Sequence, residues 1–294
     1  MIIIGEKVNV MMKVIGNAIK ERDKKPIQEM ALLQAEGGAN WLDINLGPAT
    51  KEGPEKMRFV VEAVQEVTDL PLALDTMNIE AMKAGLETVK GEVMINSINS
   101  MPERIEALMP LAKQYDAWVV LLTLNAEGNV PRDANERLEV AYNLVTAAQE
   151  YEIPLSKCLI DPIVLPISVA QDQVHALIDT MDMLQGLNAE FPEPPGSVVG
   201  LSNVSNGVTD KEVAEIINRT LLGVLMAKGL TAAIVDPNDD KLMGVANRNE
   251  EYAIIEKVVN GESVDESDPL AQQVIKTVRV LTEETLYCDA YLQL

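Results

Sequence analysis

Short apolar runs recur along the chain, separated by stretches of helical period. The runs are IIIG (2–5), WLDINL (41–46), PLALDT (71–76), EVMINS (92–97), AWVVLLTL (117–124), CLIDPIVL (158–165), SVVGLSN (197–203) and AAIVDP (232–237). Most are nearly continuous in apolar character, the pattern of a strand covered on both faces rather than one with a wet face. Between them lie segments such as MPERIEALMPLAKQY and NERLEVAYNLVTAAQEY, whose apolar residues recur on one helical face. Asn78 before IEAMKAGLETV and Asp210 before KEVAEIINRTLLGVL stand where a helix needs a side chain to accept from its first free N–H groups. Eight strands alternating with helices predict a parallel sheet closed into a (β/α)8 barrel, a TIM barrel. A doubly wound open sheet is the alternative, but IIIGEKVN lacks the G-x-G-x-x-G turn that such a nucleotide binder needs.

Past Asp236 the pattern predicts a helix around EEYAIIEKVV, an acidic loop NGESVDESDP and a last helix from about Leu270. Residues of about 240–270 read as an insertion near the final barrel helix, and residues 1–294 as one domain. AEFPEPPGS (189–197) reads as a loop entering the seventh strand.

Composition narrows the chemistry. A net charge of −22 argues against a nucleic-acid partner, because phosphates are bound by clustered Lys and Arg, and aromatics make up only 3%. No apolar run approaches the ~20 residues that span a bilayer, so no membrane partner is expected. Met1 leads straight into IIIG without a basic segment before it, which predicts no signal peptide and a cytoplasmic protein. Two cysteines, Cys158 and Cys288, make neither a disulfide framework nor a metal site. The one histidine, His175, falls in a helical stretch, so general-base and zinc chemistry built on histidine are set aside.

A barrel of this kind carries its active site at the C-terminal ends of its strands. Those ends are Glu6, Asp43 with Asn45, Asp75, Asn96, Thr123 with Asn125, Asp161, Ser202 with Asn203, and Asp236. Any one of them reads as a turn former or helix cap. Together they make a ring rich in carboxylates and amides and poor in cations. A Schiff-base lysine is not expected, since Lys7 and Lys13 lie near the first strand without a convincing inward position. A divalent metal among Asp43, Asp75 and Asp161 is one reading. A flat heterocycle with several N–H donors is another, because carboxylates accept paired N–H bonds and an amide both donates and accepts. Composition does not choose between them.

Five motifs do. LDINLGP (42–48), LALDTMN (72–78), MINSINS (94–100), LIDPIVLP (159–166) and GLSNVSNG (200–207) occur in order, each at a predicted strand end. With the opening IIIGEKVN and the closing ETLYCDAYLQ, the chain resembles the methyltetrahydrofolate:corrinoid protein methyltransferases, pterin-binding barrels related to dihydropteroate synthase. The resemblance implies a pterin ring held by Asp75, Asn96 and Asp161, with Asp43 in the same shell and Gly200 and Ser202 lining the pocket. It implies that Asn203 contacts the methyl-bearing nitrogen and is the catalytic residue. It also implies tetrahydrofolate or 5-methyltetrahydrofolate as substrate, a homodimer, and a partner corrinoid protein that carries the cobalamin. Asn206 and Lys211 stand where familiar members have Gln and Arg, so contacts to the substrate tail are open there. Two alternatives remain: another pterin reaction such as dihydropteroate synthesis, for which no cation suited to a pyrophosphate stands near the seventh strand, and a non-catalytic folate-binding subunit.

Overall fold

In the computed structural model, which describes residues 1–293, each apolar run yields one strand of a closed parallel barrel. The strands are β1 (Ile2–Asn9), β2 (Trp41–Gly47), β3 (Leu72–Thr76), β4 (Val93–Ile98), β5 (Trp118–Leu122), β6 (Cys158–Asp161), β7 (Gly196–Gly200) and β8 (Ala232–Val235). Each pairs with its successor, and β8 pairs with β1. The fold is the predicted (β/α)8 barrel.

The outer layer holds α1 (Lys13–Glu21), α2 (Lys25–Glu36), α3 (Gly53–Gln65), α4 (Ile79–Thr88), α5 (Pro102–Gln114), α6 (Ala134–Glu150), α7 (Gln171–Asn188) and α8 (Lys211–Ala227). The two expected caps form: Asn78 accepts from the Ala81 N–H, and Asp210 accepts from Glu212 and Val213. After β8 come α9 (Asp240–Ala246), α10 (Glu250–Val259) and α11 (Pro269–Leu281). Tyr252 and Ile255 of α10 are buried. Arg219 of α8 joins these helices, with Nε donating to Glu251 at 2.7 Å and Nη2 to Gln273 at 3.0 Å.

Two apolar layers sandwich the sheet. The larger lies between strands and helices. The smaller fills the barrel floor with one side chain from each strand: Ile4, Trp41, Ala73, Met94, Val120, Leu159, Val198 and Ala232. Small residues sit beside large ones, and Trp41 meets Trp118 edge-on at 5.8 Å between ring centres. Side chains alternate along a strand, so the residues two positions on share the inward face. These are Glu6, Asp43, Asp75, Asn96, Leu122, Asp161, Gly200 and Ile234. The polar ring is therefore the layer directly above an apolar floor.

Some strands end sooner than their apolar runs suggest. β6 stops at Asp161, because Pro162 has no N–H for the ladder and Ile163 takes a positive φ of 68°. β7 stops at Gly200, and Leu201–Ser205 winds into a 3-10 turn. β1 runs further, to Asn9, through an irregular pairing between Gly5 and Val8. Buried Gln34 reaches this point from α2 and accepts from the Lys7 N–H at 2.8 Å. Its Oε1 lies 2.5 Å from where a Cβ on Gly5 would stand, so any larger residue there would force the Gln34 side chain out of this bond.

Candidate active site at the barrel mouth

The inward-facing acids and amides of β2, β3 and β4 interlock. Asn45 donates from its Nδ2 to Asp75 Oδ2. Asn96 donates from its Nδ2 to Asp43 Oδ1 at 3.0 Å. Asp43 is only 3% exposed. Burial pushes its pKa well above the usual carboxylate range, the neighbouring charges of Asp75 and Glu6 push the same way, and the Asn96 hydrogen bond opposes them. Burial likewise lifts Asp75 to about 6, against the Arg104 charge and the Asn45 bond.

Asp161 stands at the tip of β6, where its Oδ1 accepts from the Ile163 N–H at 2.8 Å. Burial raises it to about 7, with that N–H and the charge of Arg137 opposing. Thr123, buried beside it, donates its hydroxyl to the Asp161 carbonyl at 3.0 Å. Asn125 is absorbed by its own turn, accepting from Glu127 and Asn129.

On the opposite side Ser202 donates to Glu6 at 3.0 Å, and Lys7 bridges Glu6 at 3.0 Å and Asp236 at 3.3 Å. Burial works against the Lys7 charge, but these two carboxylates outweigh it and raise its pKa. Lys7 is therefore an ion-paired bridge between β1 and β8 at the rim. Asn203 is exposed in the turn after β7, its Nδ2 3.2 Å from where a Cβ on Gly200 would be. Asn206 donates to Asn203 Oδ1 at 3.4 Å. Lys211 lies outside this constellation: it is 92% exposed at the start of α8, and its ammonium is 3.4 Å from Glu215.

Two residues at the site escaped the sequence reading. Arg104 of α5 and Arg137 of α6 are buried behind the sheet and bond the backbone just past the ring. Each lies on the apolar stripe of its helix, Arg104 four before Leu108 and Arg137 four before Ala141. A charged residue in a core stripe is the signal that could have found them.

His175 sits on α7, 3.6 Å from Asp179 and 3.7 Å from Glu283, away from the ring, as its helical setting predicts. Cys158 is buried and Cys288 exposed, both as free thiols. Among the described residues, no three His, Cys, Asp or Glu side chains converge as metal ligands, and no helix is long and apolar enough to cross a membrane. A cavity of about 530 Å³ lies between α5 and α6, lined by Ser100, Asn125, Glu136 and Leu144, and none of the ring carboxylates opens onto it.

Residues 7–236, which span the barrel and its acid–amide mouth, match the profile of the pterin binding enzymes. The chain belongs to the pterin binding enzyme family. Among similar proteins, a methylcorrinoid:tetrahydrofolate methyltransferase of Eubacterium limosum is 27% identical over 245 residues, covering 83% of this chain and 88% of that protein. The methionine synthase of Mycobacterium leprae is 30% identical over 242 residues, 80% of this chain but only 20% of that much longer protein. In fold, the chain resembles a dihydropteroate synthase of Xanthomonas albilineans in complex with 7,8-dihydropteroate. The TM-score is 0.62 at 20% identity, over 84% of this chain and 92% of the other. A dihydropteroate synthase of Yersinia pestis gives 0.55 at 16% identity, over 88% and 94%.

Proposed function

We propose that this pterin binding enzyme is a methyltransferase that moves a methyl group between N5 of tetrahydrofolate and the cobalt of a corrinoid carried by a partner protein. The observation that carries this reading is the similarity to a methylcorrinoid:tetrahydrofolate methyltransferase, which runs through most of both chains. The mouth suits the substrate. Carboxylates at Asp75 and Asp161 accept the N–H donors of an aminopyrimidinone edge, and the Asn96 amide supplies a mixed donor–acceptor. Asp43, fixed by Asn96, completes that wall.

In the direction toward cobalt, the metal's electron pair attacks the methyl carbon, the C–N bond breaks, and its pair returns to N5, which takes up a proton. A tertiary amine is a poor leaving group, so a donor that meets the charge growing on N5 lowers the barrier. Asn203 is assigned that role, with Gly200 and Ser202 forming the adjacent wall and Asn206 beside its carbonyl oxygen. Lys211 is left as a contact for the carboxylate tail of the folate.

A cobalt carried on another protein has to be brought to this mouth. Among the described residues, the five most exposed large apolar side chains are Met11, Val169, Leu286, Met77 and Val14, from 84% down to 60%. Met11, Val14, Met77 and Val169 lie in the segments that follow β1, β3 and β6, on the C-terminal side of the barrel, and Leu286 precedes Tyr287, whose N–H bonds Gln171 at the start of α7. Exposed apolar side chains on that side suit a protein partner that docks and leaves. The same reading takes the enzyme as a cytoplasmic homodimer. Dihydropteroate synthesis is less suited to the site, since the lysine that reaches the ring, Lys7, is already shared by two carboxylates.

The test is to mix the protein with methyltetrahydrofolate and reduced free cobalamin and follow the visible spectrum. Methylcobalamin is expected to form. No transfer and no folate binding would overturn the reading, and binding without transfer would favour a folate-binding subunit.

A further inference from the structure

A guanidinium in the layer behind a barrel sheet has to find partners without water. Arg104, 6% exposed, finds two carbonyls: Nη1 donates to Met77 O at 3.0 Å and Nη2 to Ser97 O at 2.6 Å. Met77 lies two residues past Asp75 and Ser97 one past Asn96, so one planar fork ties the tips of β3 and β4 together. Arg137, fully buried, repeats the device at β6. Its Nη1 donates to Pro162 O at 3.0 Å, immediately past Asp161, its Nε to Pro131 O at 3.1 Å and its Nη2 to Gln173 at 2.9 Å.

Neither arginine has a carboxylate as hydrogen-bond partner among the described residues. Arg219, equally buried at 6% exposed, pairs directly with Glu251. Burying a cation with only carbonyl partners is costly, and an apolar residue would serve plain packing better. What these two cations have instead is a longer-range field: the ring's Asp75 acts on Arg104, and the ring's Asp161, with Asp172 of α7, acts on Arg137.

We propose that Arg104 and Arg137 are positioning residues for pterin recognition. From the helices behind the sheet they fix the tips of β3, β4 and β6, so that Asp75, Asn96 and Asp161 are presented at one spacing. The proposal rests on the reading of the mouth as a pterin site. The charge of Arg104 also bears on Asp75, whose other neighbours are the Asn45 amide and the Asp43 carboxyl.

The experiment compares Arg104→Lys, Arg104→Gln and Arg219→Lys in the full chain. Three readouts are taken: thermal melting, affinity for methyltetrahydrofolate by calorimetry, and titration of the Asp75 carboxyl by carbon-13 NMR of the unliganded protein, assigned with Asp75→Asn. Lysine keeps the charge but cannot span both carbonyls, so Arg104→Lys is expected to weaken folate binding at least ~10-fold with the Asp75 midpoint nearly unmoved. Arg104→Gln is expected to weaken binding and to move that midpoint upward as well. Arg219→Lys is expected to lower the melting temperature alone. Arg104 variants indistinguishable from Arg219→Lys in affinity and titration would overturn the proposal. If the wild-type chain binds no folate, the proposed function falls, and the Asp75 midpoint in Arg104→Gln still decides whether Arg104 governs that carboxyl.

Discussion

The Asn96 amide of β4 donates to the Asp43 carboxyl of β2 at 3.0 Å, reaching past β3, whose own Asp75 is held by Asn45 of β2. Two amides thus hold two carboxylates in an interleaved pair, and each carboxylate accepts from a donor on a different strand, which opposes but does not cancel the repulsion between them. Replacing Asn96 with Ala strips Asp43 of this donor while leaving it buried. We expect a loss of about 1–3 kcal/mol in denaturant-measured stability, the cost of a buried acceptor left unpaired. Folate affinity should fall at least ~10-fold in the same variant, because the amide is also lost to the ligand.

Asn203→Ala separates binding from chemistry. Removing one positioned donor of charge that develops in the transition state costs on the order of 10²–10³ in rate. We expect kcat to fall by that much in the free-cobalamin assay, with folate affinity changed only a few-fold. Equal losses in both would make Asn203 a binding residue.

Gly200→Ala probes the same amide without touching it. The new Cβ would stand 3.2 Å from Asn203 Nδ2, so the amide must give by a few tenths of an ångström. Transition-state contacts are more demanding than ground-state ones. The expected outcome is a rate reduced roughly 10-fold, with folate affinity by calorimetry near wild type.

Asp161 links pH to two opposite responses. Its pKa in the fold is about 7, far above the unfolded carboxyl, so the folded chain holds a proton that the unfolded chain has released. That contribution to stability is complete below about pH 4 and is lost as pH rises through 7. Asp161→Asn should therefore stabilise the unliganded protein at pH 8 by roughly 1–3 kcal/mol, with the gain shrinking toward pH 5. Folate binding runs the other way. It needs the ionised acceptors at Asp75 and Asp161, and calorimetry should find it strengthening from pH 5 to 8 in the wild type.

Much of this site is legible in the sequence because strand alternation is a local rule. Once Trp41, Ala73, Met94 and Leu159 are placed in the floor, Asp43, Asp75, Asn96 and Asp161 follow two residues later on the same face. The capping of α4 and α8 is equally local. Apolar runs, by contrast, do not tell a strand from a buried loop, so CLIDPIVL over-extends β6: past Asp161, Val164 packs into the core as loop. The partner of each amide, the reach of Lys7 to Asp236 and the hold of Arg104 on Met77 and of Arg137 on Pro162 join residues more than twenty apart in the chain. Local pattern marks the two arginines by their place in an apolar stripe, but not what they hold.

The floor has a practical consequence. The chain has two tryptophans, and both Trp41 and Trp118 begin their strands, stacked edge-on at the end of the barrel opposite the mouth. Trp41 stands only two residues, about 7 Å of strand, below Asp43. Indole emission is thus a gauge of barrel closure seated one layer beneath the ring, close enough for a heterocycle bound there to quench it. Occupancy is expected to lower the intensity and unfolding to shift the wavelength, so one emission spectrum separates the two.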